Sequence, residues 1–469
     1  LSAARAGSAR GGGPGFGAKV LAARAIGAAS RASGRGGGTT LPGRALLRFA
    51  PDAIARLGAG LDQGTTIVSA TNGKTTTAGM IAAILAADGR EPVHNRAGSN
   101  MTWGVATALL EQRGHEGLFE VDEAWLPRVA EQLHPHLIVL GNLFRDQLDR
   151  YGEMEALADE WAKAVAAHAG SSAFALNADD PLIADLGRDA DEQPREGVLY
   201  FGIDDASQAL PELQHAFDAK HCRRCGHPYA YERAFVGHLG HYSCPNCGAK
   251  RPTPDVAATR IELRGMSGSR STIRTPEGEI ELQLPLPGLY NVYNALAAVT
   301  AGLRLGVAPE RIAAALGEMR AAFGRVETIA VDGVAVSILL IKNPAGANEV
   351  LRTLRLEAKQ GPIDLWLALN DRIADGRDVS WVWDADFELL TDSVGSVVCC
   401  GTRAAEMALR LKYAGWPSQR IEVVPAIEAS LDRAVTGAEG RLFALPTYTA
   451  LLELRKLLAA RGLAREFWR

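Results

Sequence analysis

The chain has 469 residues, 47% of them apolar and 22% charged, with a formal net charge of −4. That length exceeds what one hydrophobic core serves and predicts two to four domains, and the weak acidity excludes a nucleic-acid binder that works through overall charge. No apolar run approaches the roughly 20 residues of a membrane-crossing helix, and six cysteines in so long a chain do not make a secreted disulfide framework.

Residues 1–50 stand apart: they carry seven Arg, one Lys and no acidic residue among much Ala, Gly and Ser. Lys19 to Ser33 predicts a basic helix, and Gly36 to Gly43 a turn leading into Arg44-Ala45-Leu46-Leu47. Contact with an anionic membrane surface, an organelle transit segment and a solvated, frayed terminus all fit this composition.

From about residue 55 to 200, short β-branched runs alternate with Ala/Leu-rich helical stretches. The strands are Thr66 to Val68, Gly117 to Val121, His136 to Asn142, Ala173 to Asn177 and Val198 to Gly202. This is the pattern of a doubly wound parallel sheet, in which ligands sit at the carboxyl ends of the strands.

The first strand runs into VSATNGKTTTAGM, Val68 to Met80: a strand, a tight Gly-Lys-Thr loop and a helix start. Backbone N–H groups at a helix N-terminus, beside a Lys and a Thr hydroxyl, cradle polyphosphate and its Mg²⁺. Thr71, Asn72, Gly73, Lys74, Thr75 and Thr76 form that cradle, with Lys74 for the terminal phosphates and Thr75 for the metal. The first glycine of the common pattern is missing, Val68 standing in its place. At the next strand end Glu120, Asp122 and Glu123 crowd together. Such a cluster is costly without a cation, so Glu120 and Glu123 are candidate Mg²⁺ ligands, the alternative being a solvated acidic turn.

The alternation breaks at His221. Cys222-Arg-Arg-Cys225 and Cys244-Pro-Asn-Cys247 give C-x2-C-x18-C-x2-C, a closed tetrahedral Zn²⁺ site of structural type; two disulfides are the alternative. The insert covers about residues 218–254, and short strands follow at Ala257 to Leu263, Arg270 to Arg274 and Ile280 to Leu284. A second α/β unit has strands at Val334 to Ile341, Leu365 to Asn370, Ser396 to Cys400, Ile421 to Val424 and Leu442 to Pro446. Linkers near 325–333 and within 203–220 divide the chain into a basic segment 1–50, a nucleotide-binding unit 51–325 and a C-terminal unit 326–469. Cys399 and Cys400, in an apolar strand, read as core residues.

The order of motifs resembles the Mur ligases. It runs TNGKTTT, the carboxylate-rich strand end, Asn142 to Gly152 (with Asp146 and Asp149), Asn177-Ala178-Asp179-Asp180-Pro181, Gly288 to Ala295, and Gly324-Arg325-Val326-Glu327. The resemblance implies an α/β fold with a Mur-ligase-like central parallel-sheet ATPase domain, here carrying an inserted four-cysteine zinc ribbon, and a C-terminal α/β domain. It implies ATP, Mg²⁺ and structural Zn²⁺ as cofactors, with a carboxylate phosphorylated and then attacked by an amine. Asn142 joins the nucleotide-binding set, Asn177 and Asp180 resemble adenine-side contacts, and Asn291 and Asn294 resemble nucleotide or hinge contacts. Arg325 would hold phosphate or carboxylate charge. Loop organisation and helix capping would use the same asparagines and aspartates.

Members that add amino acids carry a metal-binding His where this chain has Gln147, and they lack the ribbon. The stretches Lys342 to Glu349 and Ala368 to Asp384 are also foreign to them. All of these features resemble the branch that supplies the ligase subunit of lipid II isoglutaminyl synthases. That branch implies amidation of the D-glutamate α-carboxylate of the membrane-bound lipid II stem peptide, with ammonia from a GatD-type glutaminase partner that borrows an aspartate. Asp371, at a strand's carboxyl end, is the favoured donor, then Asp375 and Asp378. The expected location is cytoplasmic, peripheral to the inner face of the membrane. A folylpolyglutamate-type ligase and a zinc-containing nucleotide-binding scaffold are the alternatives.

Overall fold

The structure, a computed structural model, describes residues 14–32, 40–95, 99–146, 154–189, 191–214, 217–319 and 326–464. Short Ile/Val/Leu-rich segments build the first part of a central sheet: β1 (Thr65–Ser69), β2 (Val93–His94), β3 (Gly117–Glu120), β4 (Leu137–Leu140), β5 (Ala173–Asn177) and β6 (Val198–Ile203). A separate hairpin, β7 (Ala230–Val236) and β8 (Leu239–Ser243), precedes β9 (Val256–Leu263), β10 (Ser269–Thr275) and β11 (Gly278–Leu284). The sheet order is β11-β10-β9-β6-β5-β4-β1-β3-β2. It is parallel from β9 to β2, and β10 and β11 extend it antiparallel.

Alternate residues of these strands serve two cores, as a two-residue period dictates for a sheet covered on both faces. Val68, Leu118 and Val139 face the helices Lys74–Ala87 and Leu289–Arg304. Ile67, Phe119 and Ile138 face Thr102–Glu111, Leu126–Leu133 and Met154–His168. The chain order reverses around β1, which lies between β3 and β4. The loops leaving β1, β3 and β4 therefore open into one crevice.

The second sheet uses β12 (Val326–Val331), β13 (Val334–Leu339), β14 (Ile363–Ala368), β15 (Val394–Cys400), β16 (Ile421–Val423) and β17 (Arg441–Pro446), in the order β12-β13-β17-β14-β15-β16. Here the structure corrects the expected linker at 325–333. Residues from Val326 onward form a strand antiparallel to β13, turned by Asp332 (φ 48°) and Gly333 (φ 85°). Two left-handed residues are what a two-residue hairpin turn requires. Cys399 and Cys400 are buried on opposite faces of β15; burial pushes both thiols up, Cys400 to about 12.

The basic N-terminal helix spans Pro14–Ala32. Arg24 donates to the Leu110 carbonyl at 2.8 and 2.9 Å, and Arg31 pairs with Glu111 at 2.5 Å. Half of the expected turn at Gly36 to Gly43 lies outside the described residues, and its end, from Leu41, already belongs to the helix Leu41–Phe49; none of the described helices is long and apolar enough to cross a membrane.

Candidate active site

A cleft of about 410 Å³ lies at the carboxyl ends of β1, β3 and β4, closed on its far side by the C-terminal unit. The loop after β1 is fixed from two directions. Asn142 accepts from the Asn72 N–H through Oδ1 (2.9 Å), donates from Nδ2 to the Asn72 carbonyl (3.0 Å), and its own carbonyl accepts from Thr71 N–H (2.9 Å). Gly73 sits at φ 91°, and a Cβ there would lie 2.0 Å from Asn294 Oδ1. Only glycine allows both that backbone and that approach. Asn294 also accepts from the Thr77 hydroxyl (3.3 Å) and donates to Asn291 Oδ1 (3.0 Å), while Asn291 donates to the Pro287 carbonyl (2.7 Å). The structure thus brings Asn291 and Asn294 to the cleft as supports of the loop.

Lys74 Nζ donates to Glu123 Oε2 at 2.7 Å and to the carbonyl of Ala70. Both side chains are buried, with Glu120 and Asp122 beside them. Burial pulls the Lys74 pKa down, but Glu123, Asp122 and Glu120 outweigh it and leave it above its usual value. Burial likewise pushes Glu123 up, and Lys74 and Lys342 more than reverse this. Asn100 donates to Glu120 Oε1 at 3.2 Å. Thr75 and Thr76 line the same cleft, so the expected cradle and the acidic strand end share one space.

The C-terminal unit reaches this loop directly. Lys342 Nζ donates to the Thr71 carbonyl (3.2 Å) and pairs with Asp146 at 2.5 Å. Asn343 caps the helix Pro344–Glu357 by accepting from Gly346 N–H (2.9 Å), and its amide also pairs with that of Asn72. Arg145 joins Asp218 (2.5 Å) to Asp384 (3.2 Å). In the sequence, Lys342 and Asn343 carry the resemblance to the branch or form a turn, and nothing there places them on the phosphate loop. Arg325, Gln147 and Asp149 lie outside the described residues.

Asn177 and Asp180 stand behind the cleft wall rather than on it. Asp180 is fully buried, accepts from Leu182 and Leu143 N–H groups (both 2.9 Å) and faces His238 Nε2 at 3.4 Å. Asn177 Oδ1 accepts from Asp179 N–H at 3.0 Å. Their neighbour Asp179, which sequence reasoning passed over, is a junction: it accepts from Arg251 (2.5 Å), the Tyr293 hydroxyl (2.7 Å) and Ile203 N–H (2.8 Å), and its carbonyl accepts from Gly240 N–H (2.9 Å).

Gly240 and Arg251 belong to the cysteine insert, whose β7–β8 hairpin tip brings Val236 and Leu239 into the cleft wall. The four sulfurs of Cys222, Cys225, Cys244 and Cys247 lie within 4.8 Å of one another, with two pairs at 3.5 Å. That is too far for S–S bonds of about 2.05 Å and suits a tetrahedral zinc, whose sulfur–sulfur edges are about 3.8 Å for Zn–S bonds of about 2.3 Å. The two knuckles match: Gly226 N–H donates to Cys222 O (2.7 Å) and Gly248 N–H to Cys244 O (3.0 Å).

The three candidate aspartates after β14 differ sharply. Asp371 is partly exposed and accepts from the Thr402 hydroxyl and from Arg403 Nε, each at 2.8 Å, which together hold its pKa down. Asp375 is buried and bonded to Thr449 N–H (2.7 Å) and hydroxyl (2.5 Å), burial raising its pKa against those bonds. Asp378 is exposed and held below the usual carboxylate range by the N–H (2.8 Å) and hydroxyl of Ser380.

Residues 340–451 match the family model described as MurT ligase C-terminal, and residues 68–247 match Mur ligase middle domain. The chain is 34% identical over 437 residues to the lipid II isoglutaminyl synthase (glutamine-hydrolyzing) subunit MurT of Streptococcus pneumoniae, covering 92% of this chain and 94% of that one. It is 31% identical, at the same coverage, to the subunit of that name from Staphylococcus aureus. Among solved structures, a pseudomurein peptide ligase type C from Methanothermus fervidus superposes with a TM-score of 0.66 at 22% identity, covering 87% of this chain and 80% of that one.

Proposed function

The chain belongs to the MurT family of Mur ligases, and on that premise we propose that it is the ligase subunit of a lipid II isoglutaminyl synthase. The α-carboxylate of the D-glutamate residue in the stem peptide attacks the γ-phosphorus of ATP, ADP leaves, and an acyl phosphate forms. The lone pair of ammonia then attacks the acyl carbon, the C–O bond to phosphate breaks, and nitrogen loses a proton to give the D-isoglutamine amide.

One observation carries this reading: the Lys74–Glu123 pair, at 2.7 Å, joins the phosphate loop to the acidic strand end inside a cleft shared by both units. Lys74 supplies a fixed ammonium for the transferring phosphate. Thr75, Glu120 and Glu123 are the residues that would hold Mg²⁺, which neutralises phosphate charge when bound. Zinc in the four-cysteine cluster would leave no open coordination position, which makes its role structural.

Ammonia would come from a GatD-type glutaminase bound to the C-terminal unit. Sequence position favours Asp371 as the aspartate lent to that partner; side-chain geometry favours Asp378 instead. Asp371 is tied on one oxygen to Thr402 and on the other to Arg403, and Asp375 is buried against Thr449, whereas Asp378 is exposed, ionised and, among the described residues, bonded only through Ser380. A partner histidine needs such a carboxylate to fix its tautomer. Exposed Ile373, Trp383 and Tyr413, on this loop and the helix after β15, support docking here.

The test supplies lipid II, ATP and ammonia, and measures ADP release with product mass. The expected product has one carboxylate converted to a carboxamide. ADP release with lipid II unchanged in mass, or a product gaining a whole amino acid, would reject the proposal.

A further inference from the structure

Glu349 is a buried acid that the chemistry above does not use. On the helix Pro344–Glu357, it is 1% exposed and lines the cleft, yet neither carboxyl oxygen has a hydrogen-bond partner among the described residues. The nearby cation, Arg352, is 3.8 Å from Oε1 and directs its N–H groups to the carbonyls of Phe235 (3.0 Å) and Gln208 (2.8 Å). Burial raises the Glu349 pKa, against the pull of Arg352 and of the N–H groups of Tyr290 and Leu289. A buried carboxyl whose neighbouring N–H groups fall short of hydrogen-bond geometry costs the fold stability, and a donor on a ligand would complete it.

The cleft that Glu349 faces is apolar in part. Val236 and Leu239 come from the ribbon hairpin, Leu286 from the end of the central sheet, and Leu340 and Val350 from the C-terminal unit. Lys74 and the acidic strand end occupy its phosphate side. Apolar walls with one orphaned acid suit a flat heteroaromatic ring that bears its own hydrogen-bonding edge. They do not suit ribose or phosphate, whose many polar atoms would go unpaired.

We propose that Glu349 is a specificity-determining residue that reads the amino-bearing edge of the adenine ring, accepting a hydrogen bond from the exocyclic N–H. This rests on the nucleotide reading of the cleft. A carboxyl can also donate to the adjacent ring nitrogen when it is protonated.

The test compares the full-length, zinc-loaded wild type with Glu349→Ala and Glu349→Gln, titrated calorimetrically with ATP, purine riboside triphosphate (which lacks the amino group) and 2′-deoxyATP. The wild type is expected to prefer ATP over purine riboside triphosphate about tenfold, the worth of one buried hydrogen bond. Glu349→Ala should erase that preference, and Glu349→Gln, which still accepts and donates, should keep it. Thermal unfolding without nucleotide should show Glu349→Ala at least as stable as wild type, because an unpaired acid has been removed. An unaltered preference in Glu349→Ala, a penalty that falls on 2′-deoxyATP instead, or a lowered Tm would overturn the proposal. A wild type that binds no ATP would overturn the nucleotide reading beneath it.

Discussion

Asn72 and Asn343 exchange amide hydrogen bonds across the cleft, Asn72 Nδ2 to Asn343 Oδ1 at 3.2 Å and Asn343 Nδ2 to Asn72 Oδ1 at 3.0 Å. One residue belongs to the phosphate loop and the other caps a helix of the C-terminal unit, so the amide pair links the loop's shape to the position of that unit.

Asn343→Asp separates capping from clamping. The aspartate still accepts from Gly346 N–H, so Tm should stay near wild type, but it cannot donate to Asn72 and it sets negative charge beside the loop. KM for ATP should rise about tenfold. Asn343→Ala should raise KM and also lose about 1 kcal/mol of capping stability. Steady-state ADP release and thermal unfolding read the two effects separately, and an unchanged KM in Asn343→Asp would show that the clamp is idle.

Lys74 and Glu123 make stability depend on pH at both extremes. Glu123, held below 4.5, stabilises the fold fully above that value and loses the contribution as pH falls through its native pKa. Lys74, held above 10.5, stabilises fully below that value and loses it as pH rises through its native pKa. Denaturant unfolding should show a plateau between these limits. Lys74→Met should lower stability by about 3–5 kcal/mol at neutral pH, because Glu123 stays buried and loses its partner. Adding Glu123→Leu should restore most of it without restoring ATP turnover. A Lys74→Met protein as stable as wild type would refute the buried pair.

Contacts legible in the sequence were local ones. The strand, the Gly-Lys-Thr loop and the helix start are contiguous, and the cysteine knuckles announce themselves by spacing. Lys342 and Asn343 touch residues 271 positions earlier, and no periodicity records a contact over that distance. Asn177 and Asp180 do lie at a strand end, as read, but such a loop has two sides and these residues face the inner one. The bonds that hold Asp371 come from Thr402 and Arg403, at another strand end. The β12–β13 hairpin was missed although its Asp332-Gly333 dipeptide is a strong two-residue turn signal, because Gly and Asp also mark linkers.

Metal removal should be felt at the nucleotide. The ribbon hairpin supplies Val236 and Leu239 to the cleft, and Arg251, following the second knuckle, holds Asp179 together with the Tyr293 hydroxyl. Chelation, or Cys222→Ser with Cys244→Ser, should weaken ATP binding about tenfold while the far-UV signal of the central sheet persists. Metal analysis should find zinc lost in step with affinity. Full affinity in the metal-free protein would show that the knuckles and the cleft are independent.

Asp378 gives the sharpest separation between the two half-reactions. If its carboxylate orients a histidine of the glutaminase, Asp378→Asn leaves the size of the side chain intact and removes the charge that steadies the imidazolium. Glutamine-driven amidation by the complex should fall by about 10³-fold or more, while amidation driven by added ammonia stays at the wild-type rate. Asp371→Asn should act mainly on the local loop, because the lost charge is shared with Arg403 at 2.8 Å. Asp375→Asn should lower Tm and both activities together, because it weakens the bonds to Thr449. Partner binding measured for each variant distinguishes a lost triad from a lost interface: Asp378→Asn should still bind. Loss of ammonia-driven activity in Asp378→Asn, or full glutamine-driven activity, would remove this residue from the partner's site and return the role to Asp371.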